Sequence, residues 1–457
     1  MSEIFLEAAL LPTGWAENVR VTVDDQGSIA SVEAGAGKDG AEAVAGVALP
    51  GMPNLHSHAF QRAAAGLTES RHSTNGDSFW TWREVVHGFV TKITPDDVEA
   101  IAAQLYVEML KAGYTAVGEF HYVHHNRDGS PYADPAEMSE RVVAAAKRTG
   151  LGISLLPVLY TVGGYGGAEP NLGQLRYMMT PDAFLDLVGA LHQRHADDRQ
   201  VRVGIAPHSI RQVPPDHLAV CLDGFQGIDA SAPIHIHIAE QVRDVEASVE
   251  HVGARPVEWL LDNCAVDERW CLVHATHMTE TETRGLAGSG AVAGICPTTE
   301  ANLGDGIYPL ADYLTHGGRL GIGSDSHISV SPVEELRWLE YVQRLTHLSR
   351  NVSADAQGGS TGARLYKMAL AGGAQALGRP VGAIEAGCRA DIVVVDREHP
   401  QLTGRQGDTL LDSLIFAGNA NPVRHVMVGG AWCVRDGRHT DEDAITQSYR
   451  KTVAGLL

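Results

Sequence analysis

Basic residues are scarce in this chain. Lys and Arg number 35 against 56 Asp and Glu, leaving a formal charge of −21 at pH 7. A surface of that sign repels phosphate backbones and argues against nucleic acid as a partner. Cysteines are few and scattered: Cys221, Cys264, Cys271, Cys296, Cys388 and Cys433 form neither a CxxC pair nor a compact framework. They read as reduced, mostly buried thiols. No uninterrupted apolar run approaches the length of a membrane span, so no membrane partner is expected. The opening "MSEIFLEAALLPTGW" carries acidic residues and lacks the basic n-region and cleavage pattern of a secretory leader. A cytoplasmic setting is therefore expected. Aromatics are sparse at 6%, yet the hydrophobic share of 44% and charged share of 20% are those of an ordinary globular chain. At 457 residues one large unit plus a smaller one is the default.

What is present is a repeated alternation. Short apolar runs fall at Gly46–His58, Thr115–Tyr122, Gly152–Tyr160, Val201–Ser209, Pro233–Glu240, Trp270–His277, Ala291–Thr299 and Arg319–His327. Between them lie helix-like stretches such as Pro95–Ala112, Asp134–Thr149, Pro181–His195 and Gln241–Asp262. Continuous apolar runs alternating with helices are the mark of buried parallel strands, and eight such units predict an α/β chain with a (β/α)8 TIM barrel. Residues 1–47 and 378–457 read instead as short strands and turns, including a hairpin around Gly429–Gly430. They predict a small β-sandwich domain built from both chain termini, closed by a helix over Asp443–Leu457. The barrel is assigned to residues 48–377.

The runs are apolar at their starts and, apart from Ala291–Thr299, carry His, Tyr, Glu, Ser or Asp at their C-terminal ends. Active sites of such barrels lie at the C-terminal strand ends, so this asymmetry favours catalysis. His56 and His58 end the first run one residue apart, and a strand's period of two turns them to one side. With His237, His274 and Asp325 they supply nitrogen and oxygen donors from four strand ends, the donor set a divalent metal with an open position requires. A lone histidine is more often a surface or core residue, and "HIH" at His235–His237 leaves two candidates on the fifth run.

The motifs "PGMPNLHSH", "HIHIAE", "VHATH" and "GSDSH", with "GAIEAGCRADIVVVD" near the C-terminus, resemble the amidohydrolase superfamily from Val47 to Arg435. No lysine that could bridge two metals stands at the fourth strand end, where His208 is found, and Glu240 follows His237 by three residues. Both features resemble the mononuclear deaminase branch. That resemblance implies His56, His58, His237 and Asp325 as ligands of one divalent metal, most often Zn2+, and His235 as a barrel-interior residue. It also implies catalytic roles for Glu240, His274 and Asp325. Each role has a chemical reason. Asp325 can take the proton of the attacking water, Glu240 can deliver one to the departing nitrogen, and His274 can stabilise the tetrahedral intermediate.

The loops narrow the resemblance. "DSFWTWRE", "AGYTAVGEFHYVHH", "PHSIR" and "TTEANLGDGIYP" resemble the N-formimino-L-glutamate iminohydrolase family of histidine degradation. The implied reaction is hydrolytic deimination to N-formyl-L-glutamate and ammonia. The implied substrate-binding residues are Gln61, Arg83, Tyr122, His208 and Arg211, and homodimers are common in the family. Chemistry agrees for the arginines, because guanidinium groups are the natural partners of two carboxylates. Taken singly, Arg83 and Arg211 read equally as surface ion-pair residues, Tyr122 and His208 as packing around the site, and Gln61 as a loop cap. His121, His124 and His125 read as a polar loop, and Val162–Glu169 as a mobile glycine-rich loop. Glu300 and Asn302 have no evident role. Two other readings stay open: a deaminase of a purine or other heterocycle, and a non-catalytic scaffold that kept the barrel. Zinc, iron, manganese and nickel all suit the donor set.

Overall fold

The structure is a computed structural model that describes residues 1–70 and 77–457. Eight parallel strand positions form the central barrel: β1 (Met52–Ser57), β2 (Tyr114–His121), β3 (Gly152–Leu159), β4 (Val201–Val203, resumed at Ala206–Pro207), β5 (Ile234–Ile238), β6 (Trp270–His274), β7 (Val292–Ile295) and β8 (Arg319–Ile322). They hydrogen-bond as two runs, β1 to β4 and β5 to β8. Parallel bridges Ser57–Asp325 and Ile205–Ile234 join those runs at both seams. The barrel expected from the alternating pattern is thus closed. Its interior is filled by Leu55, Cys271, Val273, Val292 and Cys296, with Ala376 from the helix Thr361–Leu377. Gly294 and Gly321 admit the Leu55 side chain, since a Cβ at either would lie within 3 Å of it.

The two chain ends meet in a second, eight-stranded sheet. Ser2–Leu11 pairs with Glu42–Pro50 in parallel, and Glu42–Pro50 pairs with Ile392–Val395 antiparallel, which ties the N-terminal strands to the C-terminal ones. The sheet's two halves share an apolar core containing Ile4, Leu6, Val19, Val21, Ile392 and Met427, the sandwich-like packing expected of the termini. The Gly429–Gly430 hairpin is present, both glycines having positive φ (54° and 80°), as a tight turn between twisted strands demands.

Several boundaries differ from the sequence reading. The first apolar run, Gly46–His58, is two strands. Its first half ends the small sheet at Pro50 and its second half opens the barrel at Met52. A Cβ on Gly51 would fall 2.3 Å from the Thr115 side chain, so the turn between the two sheets needs glycine there. The expected helix Gln241–Asp262 is also two, Val242–Val252 and Pro256–Asn263. Gly253 in the left-handed region (φ 86°) caps the first, and Pro256, lacking an N–H, opens the second. The helix expected from Asp134 starts at Glu137, because Asp134 instead accepts the Ala136 N–H in the preceding turn. The closing helix runs over Glu442–Leu456. Among the described residues, no helix is long and apolar enough to cross a membrane, and all six cysteines are free.

Candidate metal centre and substrate cleft

At the C-terminal end of the barrel three imidazoles converge. His56 Nε2 lies 3.2 Å from His58 Nε2 and 3.0 Å from His237 Nε2. Asp325 Oδ1 is 3.5 Å from His56 Nε2 and 3.3 Å from His58 Nε2. The four come from β1, β5 and the turn after β8, as alternation along β1 predicts. The other ring nitrogens explain the arrangement. His58 Nδ1 donates to the Phe120 carbonyl at 2.9 Å and His237 Nδ1 to the His208 carbonyl at 3.2 Å. Each bond fixes the tautomer that leaves Nε2 as a lone pair facing the centre.

Three buried lone pairs and a carboxylate pointed at one spot fit a divalent cation well. Burial holds His56 neutral, its pKa pushed down to about 3, and depresses His58 and His237 as well. Burial opposes the charge on Asp325, but its hydrogen bond and proximity to the histidines keep the carboxylate well below the usual range. Neutral imidazoles and an ionised carboxylate are the protonation states a metal ligand needs.

A buried polar network holds the ligand strands in place. Glu119 on β2 accepts the Ser57 hydroxyl and the Ala59 N–H at 2.7 Å each, and the Tyr106 hydroxyl at 3.1 Å. Ser57 Oγ also meets His327 Nε2 at 3.2 Å, while His327 Nδ1 meets Ser324 Oγ at 3.0 Å. Asn54 donates to the same Ser324 hydroxyl at 2.7 Å and so closes the chain back onto β1. The backbone adds a clamp: Asp325 N–H donates to the His56 carbonyl and His58 N–H to the Asp325 carbonyl. Asp325 and His327 pay for it with left-handed φ values of 46° and 63°. His274 and Ala239 on the neighbouring strand ends are left-handed too, at 68° and 49°. Such strain in non-glycine residues concentrates at functional sites.

Beside this centre an imidazole sits among carboxyl groups. Glu240 Oε1 is 3.7 Å from His274 Nε2, and Asp325 Oδ2 is 3.8 Å from the same nitrogen. On the far side of the ring Glu300 Oε1 lies 3.3 Å from Nδ1. Burial disfavours a charge on His274, yet the three carboxylates around it override burial and raise its pKa to about 10. Burial raises Glu240 to about 7. Glu300, without a role in the sequence reading, is therefore the group that orients His274, and it also accepts the Cys296 N–H.

Every expected site residue except His56, which sits deeper, lines one cleft above the centre. Gln61 donates to the Tyr122 hydroxyl at 2.7 Å, and its own Oε1 has no partner. Tyr122 packs edge-on to His58, and Tyr160 edge-on to His208. Arg211, 7% exposed, spends one nitrogen on Asp244 at 2.8 Å and its Nε on Gln212. Arg83 projects from the helix Phe79–Val90 and stacks on Trp80, its guanidinium 4.7 Å from the ring centre. His235 stays in the barrel interior, donating to the Ala376 carbonyl at 2.7 Å.

Several contributors escaped the sequence reading. Asp305 is 4% exposed, receives a hydrogen bond from Gln241, and has a ligand atom within 4.8 Å of both Glu240 and His274. Burial raises its pKa to about 10. Asp244 anchors Arg211, while Tyr160 and Tyr177 wall the cleft. Only the "GDG" and "AEQVRD" strings hinted at the two acids, and neither has a spacing that marks a site. The residues read as a polar loop are largely enclosed: His121, the last residue of β2, is 1% exposed, and His124, 2% exposed, turns in to the Val158 carbonyl of β3 at 2.9 Å. In the glycine-rich loop, Tyr165 stacks on His251 at 5.9 Å. Asn302 donates to Glu69 at the rim.

Residues 47–433 match the amidohydrolase family, and residues 1–45 match the N-terminal domain described as that of formimidoylglutamate deiminase HutF. The chain belongs to the amidohydrolase family, whose members are metal-dependent. Within it, the chain is 52% identical over 457 residues to formimidoylglutamate deiminase of Pseudomonas aeruginosa, each covering all of the other. It is 30% identical to 5-methylthioadenosine/S-adenosylhomocysteine deaminase of Natronomonas pharaonis, over 90% of this chain and 86% of that one. The crystal structure of an amidohydrolase from Brucella melitensis superposes with a TM-score of 0.94 at 47% identity and full coverage of both chains. A zinc-bound adenosine deaminase from Xanthomonas campestris shares the fold, with a TM-score of 0.82 at 22% identity, 99% of this chain and 98% of that one being covered.

Proposed function

We propose that the chain hydrolyses N-formimino-L-glutamate to N-formyl-L-glutamate and ammonia, a step of histidine degradation. The observation that carries this reading is the pairing, within one cleft, of the His–Asp centre with two guanidiniums: acid–base chemistry at one end and carboxylate recognition at the other. The full-length likeness to a formimidoylglutamate deiminase supports it.

His56, His58, His237 and Asp325 would hold one Zn2+, and residues 48–377 form the catalytic unit, its first three residues still paired in the sheet of the small domain of residues 1–47 and 378–457. When bound, the ion supplies a water acidic enough to ionise near neutral pH. Asp325 accepts the water's proton at Oδ2, the oxygen turned from the ligand nitrogens towards His274. Arg83 and Arg211 hold the two carboxylates and aim the formimino carbon at the centre, while Gln61, Tyr122 and His208 fit the chain between. His274, held cationic by the Glu300 and Asp325 carboxylates, steadies negative charge on oxygen as water adds to the carbon. Glu240, raised to about 7, keeps a proton to give the leaving nitrogen, which departs as neutral ammonia. Water's oxygen ends in the formyl group and the imino nitrogen in ammonia, so atoms balance.

Tyrosines along the cleft and the nucleoside deaminase relative give the heterocycle reading some support. A heterocycle has no need of both arginines. An Arg83→Met or Arg211→Met variant that still deaminates a purine nucleoside, in a protein inert to formiminoglutamate, would overturn the proposal. The same reading carries a cytoplasmic setting and a homodimer, and light scattering at one chain mass would remove the latter.

A further inference from the structure

Three guanidiniums crowd one indole at the cleft mouth. Arg83 and Arg243 each stand 4.7 Å from the centre of the Trp80 ring, and Arg211 stands 5.5 Å from it. Like charges gathered this closely repel unless something anionic is meant to lie among them. An indole face attracts each cation without neutralising it, so Trp80 can hold the fan together while leaving its charge intact.

The available counter-charge is small. Arg211 is matched by Asp244. Among the described residues no carboxylate comes within 4.0 Å of Arg83 or Arg243, and residues 71–76 include no Asp or Glu. The mouth therefore carries two uncompensated positive charges in a chain of net charge −21. Two such charges match a substrate with two carboxylates. They exceed what a substrate with one would need.

The three side chains differ in depth. Arg211 is buried, Arg83 is half-buried and Arg243, near the start of the helix Val242–Val252, is exposed. The geometry points to Arg243, braced on Trp80, as a specificity-determining residue: from the rim it adds a further contact, beside those of Arg83 and Arg211, to the carboxylate farther from the reacting carbon and so selects dicarboxylates over monocarboxylates. This assignment rests on the proposed reaction for its choice of ligand. A charge at a rim acts mainly on encounter and on salt dependence. Its loss should therefore raise KM more than it lowers kcat.

The test compares wild type with Arg243→Gln and Arg243→Lys on N-formimino-L-glutamate and on N-formiminoglycine, which lacks the distal carboxylate. Expected for Arg243→Gln is a kcat/KM about tenfold lower on the dicarboxylate, carried by KM, with a flatter dependence on ionic strength and little change on the monocarboxylate. Arg243→Lys should recover most of the salt dependence. Equal losses on both substrates, or no loss on either, overturn the assignment. Calorimetric binding of glutarate, a dicarboxylate with no formimino group, separates this from the proposed reaction. Wild type inert to both formimino compounds defeats the reaction. Glutarate that binds wild type and Arg243→Gln alike, or binds neither, defeats the role of Arg243.

Discussion

Glu240 owes its chemistry to where its carboxylate lies. In water it would be ionised at neutral pH and unable to donate. Buried beside Asp325 and Asp244, it is raised to about 7, although His274 and Arg211 pull in the opposite direction. Glu240→Gln should therefore keep metal binding and lower kcat by roughly 10²–10⁴-fold, measured as ammonia release at saturating substrate. Unchanged kcat would remove it from proton transfer. Arg211→Met should raise KM by roughly 10- to 100-fold, the loss of a charge-assisted hydrogen bond, and should also leave Asp244 buried and unpaired. A KM within twofold of wild type would argue against carboxylate binding there. At this scale the sequence was legible where spacing brings groups together, as in His56–His58 or Glu240 three residues after His237. It was silent on Asp305, Asp244 and Glu300. Asp244 and Glu300 are single acids in the first turns of helices and Asp305 is one in a loop, and only the closing of the barrel brings them to the site.

The elements explain how such a site is held rigid. β1 and the residue after it bring two of the proposed ligands, yet β1 has few backbone bonds to β8, so its position depends on side chains: Glu119 beneath Ser57, and His327 and Ser324 behind it. All three donors to Glu119 point at a carboxylate. Glu119→Gln, which turns an NH2 towards one of them, should destabilise the chain by about 1–3 kcal/mol in urea unfolding and weaken metal affinity roughly 10- to 100-fold. A variant matching wild type in both would show that the network is incidental. The strands themselves were readable from apolar runs with polar ends. The break at Gly51 was not, because both halves of that run are buried and apolar, and hydrophobicity alone cannot tell which sheet covers them. The split of Gln241–Asp262 carried its signal in Gly253 and Pro256, obscured by an apolar period that continues across both helices.

Across the whole molecule the enclosed histidines set a limit on acid tolerance. Burial lowers His121 to about 3, and His124 and His235 to about 4, from an ordinary value of 6.5. Because the folded values lie below the unfolded ones, their stabilising contribution is complete above pH 6.5 and is lost as pH falls through about 4 towards 3. Tm should thus fall steadily from pH 6.5 to 4. His124→Gln, which can keep the bond to the Val158 carbonyl, should soften that fall, and a flat profile in wild type would contradict the linkage. Metal removal acts at the same scale: ligands that exist as a set only in the folded chain bind the ion in that state alone, so a chelator should lower Tm and re-added Zn2+ restore it. The central claim joins both ends of the cleft. It is tested most directly by incubating the purified chain with N-formimino-L-glutamate, before and after chelation, and identifying both products. The account predicts equal amounts of ammonia and N-formyl-L-glutamate, lost on chelation and regained with Zn2+. Formamide and glutamate, or release indifferent to the metal, would contradict it.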